Sequence, residues 1–192
     1  MRLIILDGLD GVGKNTHAKL IKDRYEQKGE KVIIRSHPET DNYFGKKAKK
    51  ALLGEGKINK FKASVFYMLD VLQSIKKYYK RSDIDTLIMV RYLVGTAYLS
   101  ESLSKIAYGF FIKFVPMSKY MFYLDADPND LVDRMKHRKE TEMFENLYEL
   151  EKVRNKALKL VKSWYIINAL GSVNDTYSKI EKVLDNLDKS QP

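Results

Sequence analysis

The chain has 192 residues, the length of one domain, and its 44% hydrophobic and 11% aromatic content is too high for a disordered segment. It has no cysteine and three scattered histidines, which excludes disulfides, thiolate metal sites and cysteine nucleophiles and argues against an all-histidine metal centre. Lys and Arg outnumber Asp and Glu by 35 to 25, for a net charge of +10, but the excess is spread over Lys46, Lys47, Lys49, Lys50, Lys76, Lys77, Lys80 and segment 134–139. That distribution fits solvated faces and a phosphate-handling protein better than a dedicated nucleic-acid binder. No apolar run approaches the ~20 residues of a membrane span and nothing resembles a signal peptide, so a cytoplasmic, membrane-free protein is expected.

Leu3 to Leu6 is a short, wholly apolar run, as in a strand buried on both faces, and a glycine-rich turn separates it from a helix in which Ala18, Ile21 and Tyr25 recur at helical spacing. Gly29 ends that helix, 31–35 forms a second strand, and Pro38 stops it. Two helices follow, 44–53 and 60–79, separated by Gly54 and Gly56. Further strands are expected at 85–91, 120–125 and 164–168, with helices at 96–107, 128–137, 146–162 and 173–188. Strands alternating with helices imply one α/β domain over 1–192: a three-layer fold in which helices flank a five-stranded parallel sheet. The charged stretch 136–145 lacks apolar periodicity and reads as a functional loop.

Gly8, Gly13 and Lys14 have the spacing of a Walker A loop and lie where it must lie, after a buried strand and before a helix. Such a loop turns successive backbone N–H groups toward phosphate oxygens, the helix N-terminus adds partial positive charge, and Lys14 adds a full one. The triphosphate is therefore expected on Gly8, Asp10, Gly11, Val12, Gly13, Lys14, Asn15 and Thr16. One position departs from the pattern: the residue after the lysine is ordinarily a Ser or Thr whose hydroxyl binds Mg²⁺, and here it is Asn15. An amide oxygen is also a hard ligand, so Asn15 is the candidate metal residue, directly or through water, with a weakened or displaced metal site as the alternative.

The stretch Gly8 to Thr16 closely resembles the phosphate loop of thymidylate kinases, within the P-loop nucleoside monophosphate kinases, and other blocks follow in that family's order. Pro38-Glu39 with Gly45-Lys46 resembles the segment after strand two, and Arg91-Tyr92 with Ala97-Tyr98 resembles the Asp-Arg-Tyr block. Tyr123-Leu124-Asp125 with Pro128 resembles the strand-four block, while Arg134, Arg138, Phe144-Glu145 and Lys152-Val153-Arg154 resemble the lid, about 136–146, and the helix behind it. The resemblance implies a P-loop NTPase fold, ATP and Mg²⁺ as cofactors, transfer of phosphate to a deoxynucleoside monophosphate with dTMP the first candidate, and a homodimer. A kinase for another monophosphate and a catalytically weak nucleotide-binding protein are the alternative readings.

For residue roles, the resemblance places Lys14, Arg91, Arg134 and Arg138 in catalysis and puts the acceptor against Asp10, Pro38, Thr40, Arg91, Tyr98 and an aromatic, either Tyr67 or Phe66. Gly11 stands where some relatives carry a catalytic arginine, so the cations are expected from the lid, although Met143 replaces the usual lid arginine. Three departures fall on the acceptor side: Val90 for an acid, Thr40 for a phosphate-clamping arginine, which Arg35 is a candidate to replace, and Val71 for a base-reading arginine. Glu39 and Asp41 are candidates to hold metal-bound water, and Asp125 is expected to cap the helix starting at Pro128.

Overall fold

The structure, a computed structural model, describes residues 1–54, 56–99, 101–136 and 146–190. Five strands, β1 (Arg2–Gly8), β2 (Val32–Ser36), β3 (Thr86–Val90), β4 (Tyr120–Asp125) and β5 (Tyr165–Asn168), form one sheet in the order β2-β3-β1-β4-β5. Every pairing is parallel, with Leu6 opposite Val90 on one side and opposite Phe122 on the other. Helices α1 (Lys14–Glu26), α2 (Tyr43–Leu52), α3 (Gly56–Tyr78), α4 (Glu101–Phe114), α5 (Pro128–Met135), α6 (Leu147–Leu160) and α7 (Val173–Lys189) connect and cover the strands. Both faces are buried, which is why the strands read as unbroken apolar runs: Ile4, Ile5, Leu6, Leu87, Ile88, Met89, Val90 and Phe122 have no exposed surface.

Chain order decides where a ligand can sit. From β1 the chain moves to β2 and returns through β3, then crosses β1 to reach β4 on its other side. A crevice therefore opens beyond the carboxyl end of β1, where the loops diverge. The phosphate loop leaves β1 at that place.

The expected strands and all but one of the expected helices are found, with ends shifted by a few residues. The exception is the helix at 96–107. Residues Val94–Tyr98 form a 3-10 helix, and α4 starts at Glu101 and runs to Phe114. The expected cap by Asp125 is also corrected: Asp127 accepts from the Asn129 N–H at the start of α5, while Asp125 receives Nε and Nη2 of Arg154, both at 2.7 Å. No helix among the described residues is long and apolar enough to cross a membrane.

At the opposite end of the sheet, Arg24 of α1 pairs with Glu181 and Asp185 of α7, and a third carboxylate of α7 gathers more partners. Asp188 accepts from the hydroxyls of Tyr25 and Tyr120 at 3.0 and 3.1 Å and lies 3.3 Å from both Arg24 Nη2 and Lys28 Nζ. Burial acts to raise its pKa, but Tyr25, Arg2, Tyr120 and Lys28 together hold it below the usual carboxylate range. Asp188→Ala should cost about 1–3 kcal/mol, because buried donors lose their acceptor. A depressed pKa means that this stability is present above the ordinary carboxylate pKa and is lost as pH falls through the lower native value. Urea unfolding at pH 7 and pH 3 checks both statements, since the wild-type advantage should shrink at the acid pH.

Candidate active site

The loop between β1 and α1 has the geometry of an anion cradle. Gly13, the residue before α1, takes φ 92°, a left-handed conformation that suits glycine, and α1 begins with no side-chain cap and no acid in its first turn. By contrast, α2, α5, α6 and α7 are capped by Asn42, Asp127, Asn146 and Ser172. The first N–H groups of α1 thus face the crevice without a side-chain acceptor. Lys14 curls back over the loop, its Nζ donating to the carbonyls of Gly8 at 2.8 Å and Leu9 at 2.6 Å, with Asp10 Oδ1 at 3.5 Å. Burial lowers its pKa to about 8, helped by Arg91 and opposed by Asp10 and Asp7.

Three strand ends place polar groups around that lysine. Arg91, just past β3, reaches across to Asp10 of the phosphate loop, with Nη2 at 2.9 Å and Nε at 3.3 Å from Oδ1. Asp7, at the end of β1, is 2% exposed and accepts three backbone N–H groups, those of Tyr92, Leu93 and Val94. From the end of β2, the Ser36 hydroxyl donates to Asn15 Oδ1 at 2.7 Å. Behind them His37 is fully buried between the Val90 carbonyl and the Ser74 hydroxyl, and burial pushes its pKa down to about 3. A neutral imidazole is the consequence.

Asp7, Asp10, Asn15, Ser36, His37 and Arg91 line a cavity of about 630 Å³ that also reaches Pro38, Thr40, Ser64, Tyr67 and Met68, whereas Lys14 is buried and is not part of its wall. One end is thus built for oligophosphate and the other for a flat, partly apolar group. Residues 6–180 match the family model described as thymidylate kinase. The chain belongs to the thymidylate kinase family. A relative in Pyrococcus horikoshii, described as "probable thymidylate kinase", is 30% identical over 92% of both chains. Another of that description, from Thermococcus kodakarensis, is 28% identical over 96% of this chain and 97% of its own. A solved thymidylate kinase from Candida albicans has the same fold, with a TM-score of 0.74 over 99% of this chain and 93% of its own at 14% identity.

Against this thymidylate kinase frame, the structure brings together Gly8, Asp10, Asn15, Pro38, Thr40, Tyr67 and Arg91 around one cavity. Gly11 lies against α5, where an added Cβ would stand 3.1 Å from Met135 and 3.2 Å from the Leu131 carbonyl. Val12 is packed in the core, 1% exposed, and Thr16 is exposed on α1. Arg134 sits in the last turn of α5 and donates to the Ala169 carbonyl at 3.3 Å, outside the cavity wall. Tyr98 ends the 3-10 helix, and its side chain lies outside the described residues. So do Arg138, Met143 and the lid between Lys136 and Asn146.

Several expectations are corrected. Of the two candidate aromatics, Tyr67 lines the cavity, whereas Phe66 is turned toward Tyr43, ring centroids 6.5 Å apart, and is not part of the wall. Phe66 falls on the side of α3 that packs toward α2, while Ser64, Tyr67 and Met68 lie on the cavity side. Val71 is fully buried in the core and does not reach the cavity. Arg35 lies outside the cavity wall, with its guanidinium in a two-point pair with Asp41 at 2.8 and 2.9 Å. That pair also engages Asp41, Glu39 accepts from the Ser36 N–H at 2.5 Å, and neither residue is part of the cavity wall. Asp7, Ser36 and His37 were missed as site residues. An acid ending an apolar strand run was the available signal for Asp7.

Proposed function

We propose that this chain acts in the cytoplasm as a homodimeric kinase that transfers the γ-phosphoryl group of ATP to dTMP, forming dTDP and ADP. The single observation that carries this reading is the Arg91–Asp10 pair standing between the uncapped start of α1 and the Tyr67 wall. On this proposal a cation and a carboxylate of the phosphate loop stand at the boundary between an oligophosphate site and a site for a base. In this reading, Gly8 to Thr16 bind the triphosphate, and Arg91 turns to the acceptor phosphate. Asp10, Pro38, Thr40 and Tyr67 form the acceptor side, joined by Tyr98. An acceptor phosphate oxygen is already ionised, so attack on the γ-phosphorus needs alignment and cationic charge more than a general base. Lys14, Arg91 and, from the lid side, Arg134 and Arg138 supply that charge. Exposed Tyr43, Ile58 and Leu72 on α2 and α3 provide apolar surface for a second copy.

Magnesium takes a few protein oxygens and fills its remaining positions with phosphate and water. Asn15 Oδ1 and the Ser36 hydroxyl oxygen, 2.7 Å apart at the mouth of the loop, suit that demand, and Ser36 returns the hydroxyl that position 15 lacks. When bound, the ion would draw charge from the phosphate oxygens. Asn15→Ser is expected to keep Mg²⁺-dependent turnover, and Ser36→Ala to raise the Mg²⁺ concentration for half-maximal rate about threefold or more. A Mg²⁺ titration at saturating ATP checks this.

Acceptors other than dTMP are favoured by one observation. Among the described residues, the α3 part of the cavity wall offers Ser64, Tyr67 and Met68 near the base but no amide or guanidinium. Stacking on an aromatic tolerates any base, and small-group discrimination in an apolar pocket reaches only roughly 10–200-fold. ADP formation against a panel of nucleoside monophosphates tests both readings. The expected result is dTMP as best acceptor, with dUMP and dCMP within about 200-fold in kcat/KM. Nucleotide binding without turnover on any acceptor would overturn the kinase reading.

A further inference from the structure

Arg91 is held in an unusual backbone conformation from several directions at once. Its φ of 56° lies in the left-handed region, which side-chain-bearing residues rarely adopt. Its N–H donates to the Leu6 carbonyl at 3.2 Å, and its own carbonyl accepts the Tyr67 hydroxyl from α3. Immediately downstream, the Asp7 Oδ2 atom gathers the N–H groups of Tyr92, Leu93 and Val94 at 3.0, 2.9 and 3.2 Å. Three consecutive amides converging on one buried carboxylate oxygen form a nest with the anion supplied by the protein itself. The ring of Tyr67 reaches this turn because residue 95 is glycine: a Cβ there would stand 2.7 Å from the ring carbon Cε1.

Charge-assisted bonds to a buried carboxylate are stronger and more directional than neutral ones. Asp7 is the penultimate residue of β1, the strand that leads into the phosphate loop, while Arg91 follows β3, so the nest registers one strand's loop against the other's. The outcome is visible in the guanidinium, which lies 2.9 Å from Asp10, three residues beyond Asp7. Val90, where the family resemblance expects an acid, is wholly buried and contributes no charge to the turn. The carboxyl group that meets these amides comes from β1; burial raises its pKa, and the three N–H donors and Lys14 act the other way, in favour of the charged form.

We infer that Asp7 and the Tyr67 hydroxyl form a bracket that positions Arg91 for the acceptor phosphate, with Asp7 a positioning residue that does not touch substrate. This rests on the assignment of Arg91 to the acceptor phosphate made above. The test is a pair of double-mutant cycles read as separate KM values for dTMP and ATP. Asp7→Asn, which keeps an acceptor oxygen but removes the charge, is expected to raise the dTMP KM about tenfold or more while the ATP KM changes less than threefold. Tyr67→Phe keeps the ring, removes only the hydroxyl, and should raise the dTMP KM about threefold. In an Arg91→Ala background each change should lose its effect, because the residue it positions is gone.

Penalties that multiply in that background, or ATP and dTMP KM values that rise together, would overturn the inference and leave the role of Arg91 standing. An Arg91→Ala protein with an unchanged dTMP KM would remove that role and the inference with it. If Asp7→Asn does not fold, the Tyr67→Phe cycle decides alone: additive penalties there overturn the bracket, and their disappearance supports it.

Discussion

Replacing Lys14 with alanine should lower kcat/KM for ATP by at least about 10²–10³-fold, the scale of losing one preorganised charge-stabilising donor. The Lys14 side chain is 3% exposed and its Nζ rests on two loop carbonyls at 2.6 and 2.8 Å, so the cation is held within the phosphate loop and turns from those carbonyls to a bound phosphate. Circular dichroism should show an intact fold, with the loss confined to nucleotide binding and turnover. A Lys14→Ala protein with wild-type ATP affinity and rate would sink the kinase reading. The pH dependence follows from the same burial. In the free protein the Lys14 pKa is lowered to about 8, so above that pH the nucleotide meets a neutral amine. A bound polyanion favours the protonated form, so ATP binding should weaken above about pH 8 and take up a proton there. Calorimetry at pH 9 in buffers of different ionisation enthalpy reads that uptake directly, and Lys14→Ala should abolish it.

The second large effect is a loss of stability. Val71→Arg is expected to destabilise the protein by about 3–5 kcal/mol, the scale of an uncompensated buried charge. On the resemblance alone, an arginine at this position should restore base reading and raise the preference for dTMP over dCMP. The fold reverses that expectation, because Val71 has no exposed surface and belongs to the main core. Beside it, Asp70 is occupied by the Glu39 N–H at 2.8 Å and the Asn42 amide at 2.7 Å, which hold the loop after β2 against α3. Urea denaturation should show a lower midpoint with an unchanged slope. A stable Val71→Arg protein with a raised dTMP-to-dCMP ratio would show that α3 turns this position into the cavity.

What the sequence determines by itself is everything whose cause is local. A strand buried on both faces must be apolar throughout, so β1, β3 and β4 stand out as runs, and β4 is found at its expected residues, Tyr120–Asp125. The phosphate loop is equally local: Gly8, Gly13 and Lys14 act within seven residues, and the strand before them and the helix after them are both legible. Interactions that join distant segments leave no such mark. Asp7 meets amides 85 to 87 residues away, and this contact accompanies a 3-10 turn at Val94–Tyr98 where helical periodicity alone suggests the start of a helix. Ser36 finds Asn15 across 21 positions, and Arg154 takes Asp125 across 29, moving it away from the helix it was expected to cap. The facing of α3 is decided in the same way. Its sequence is apolar on more than one side because the core takes Val71 while the cavity takes Tyr67, and only the packing of α3 beside α2 and the Val94–Tyr98 turn separates the two faces. Local periodicity can say that a helix has an apolar face; which apolar face meets ligand depends on the partners that cover the others.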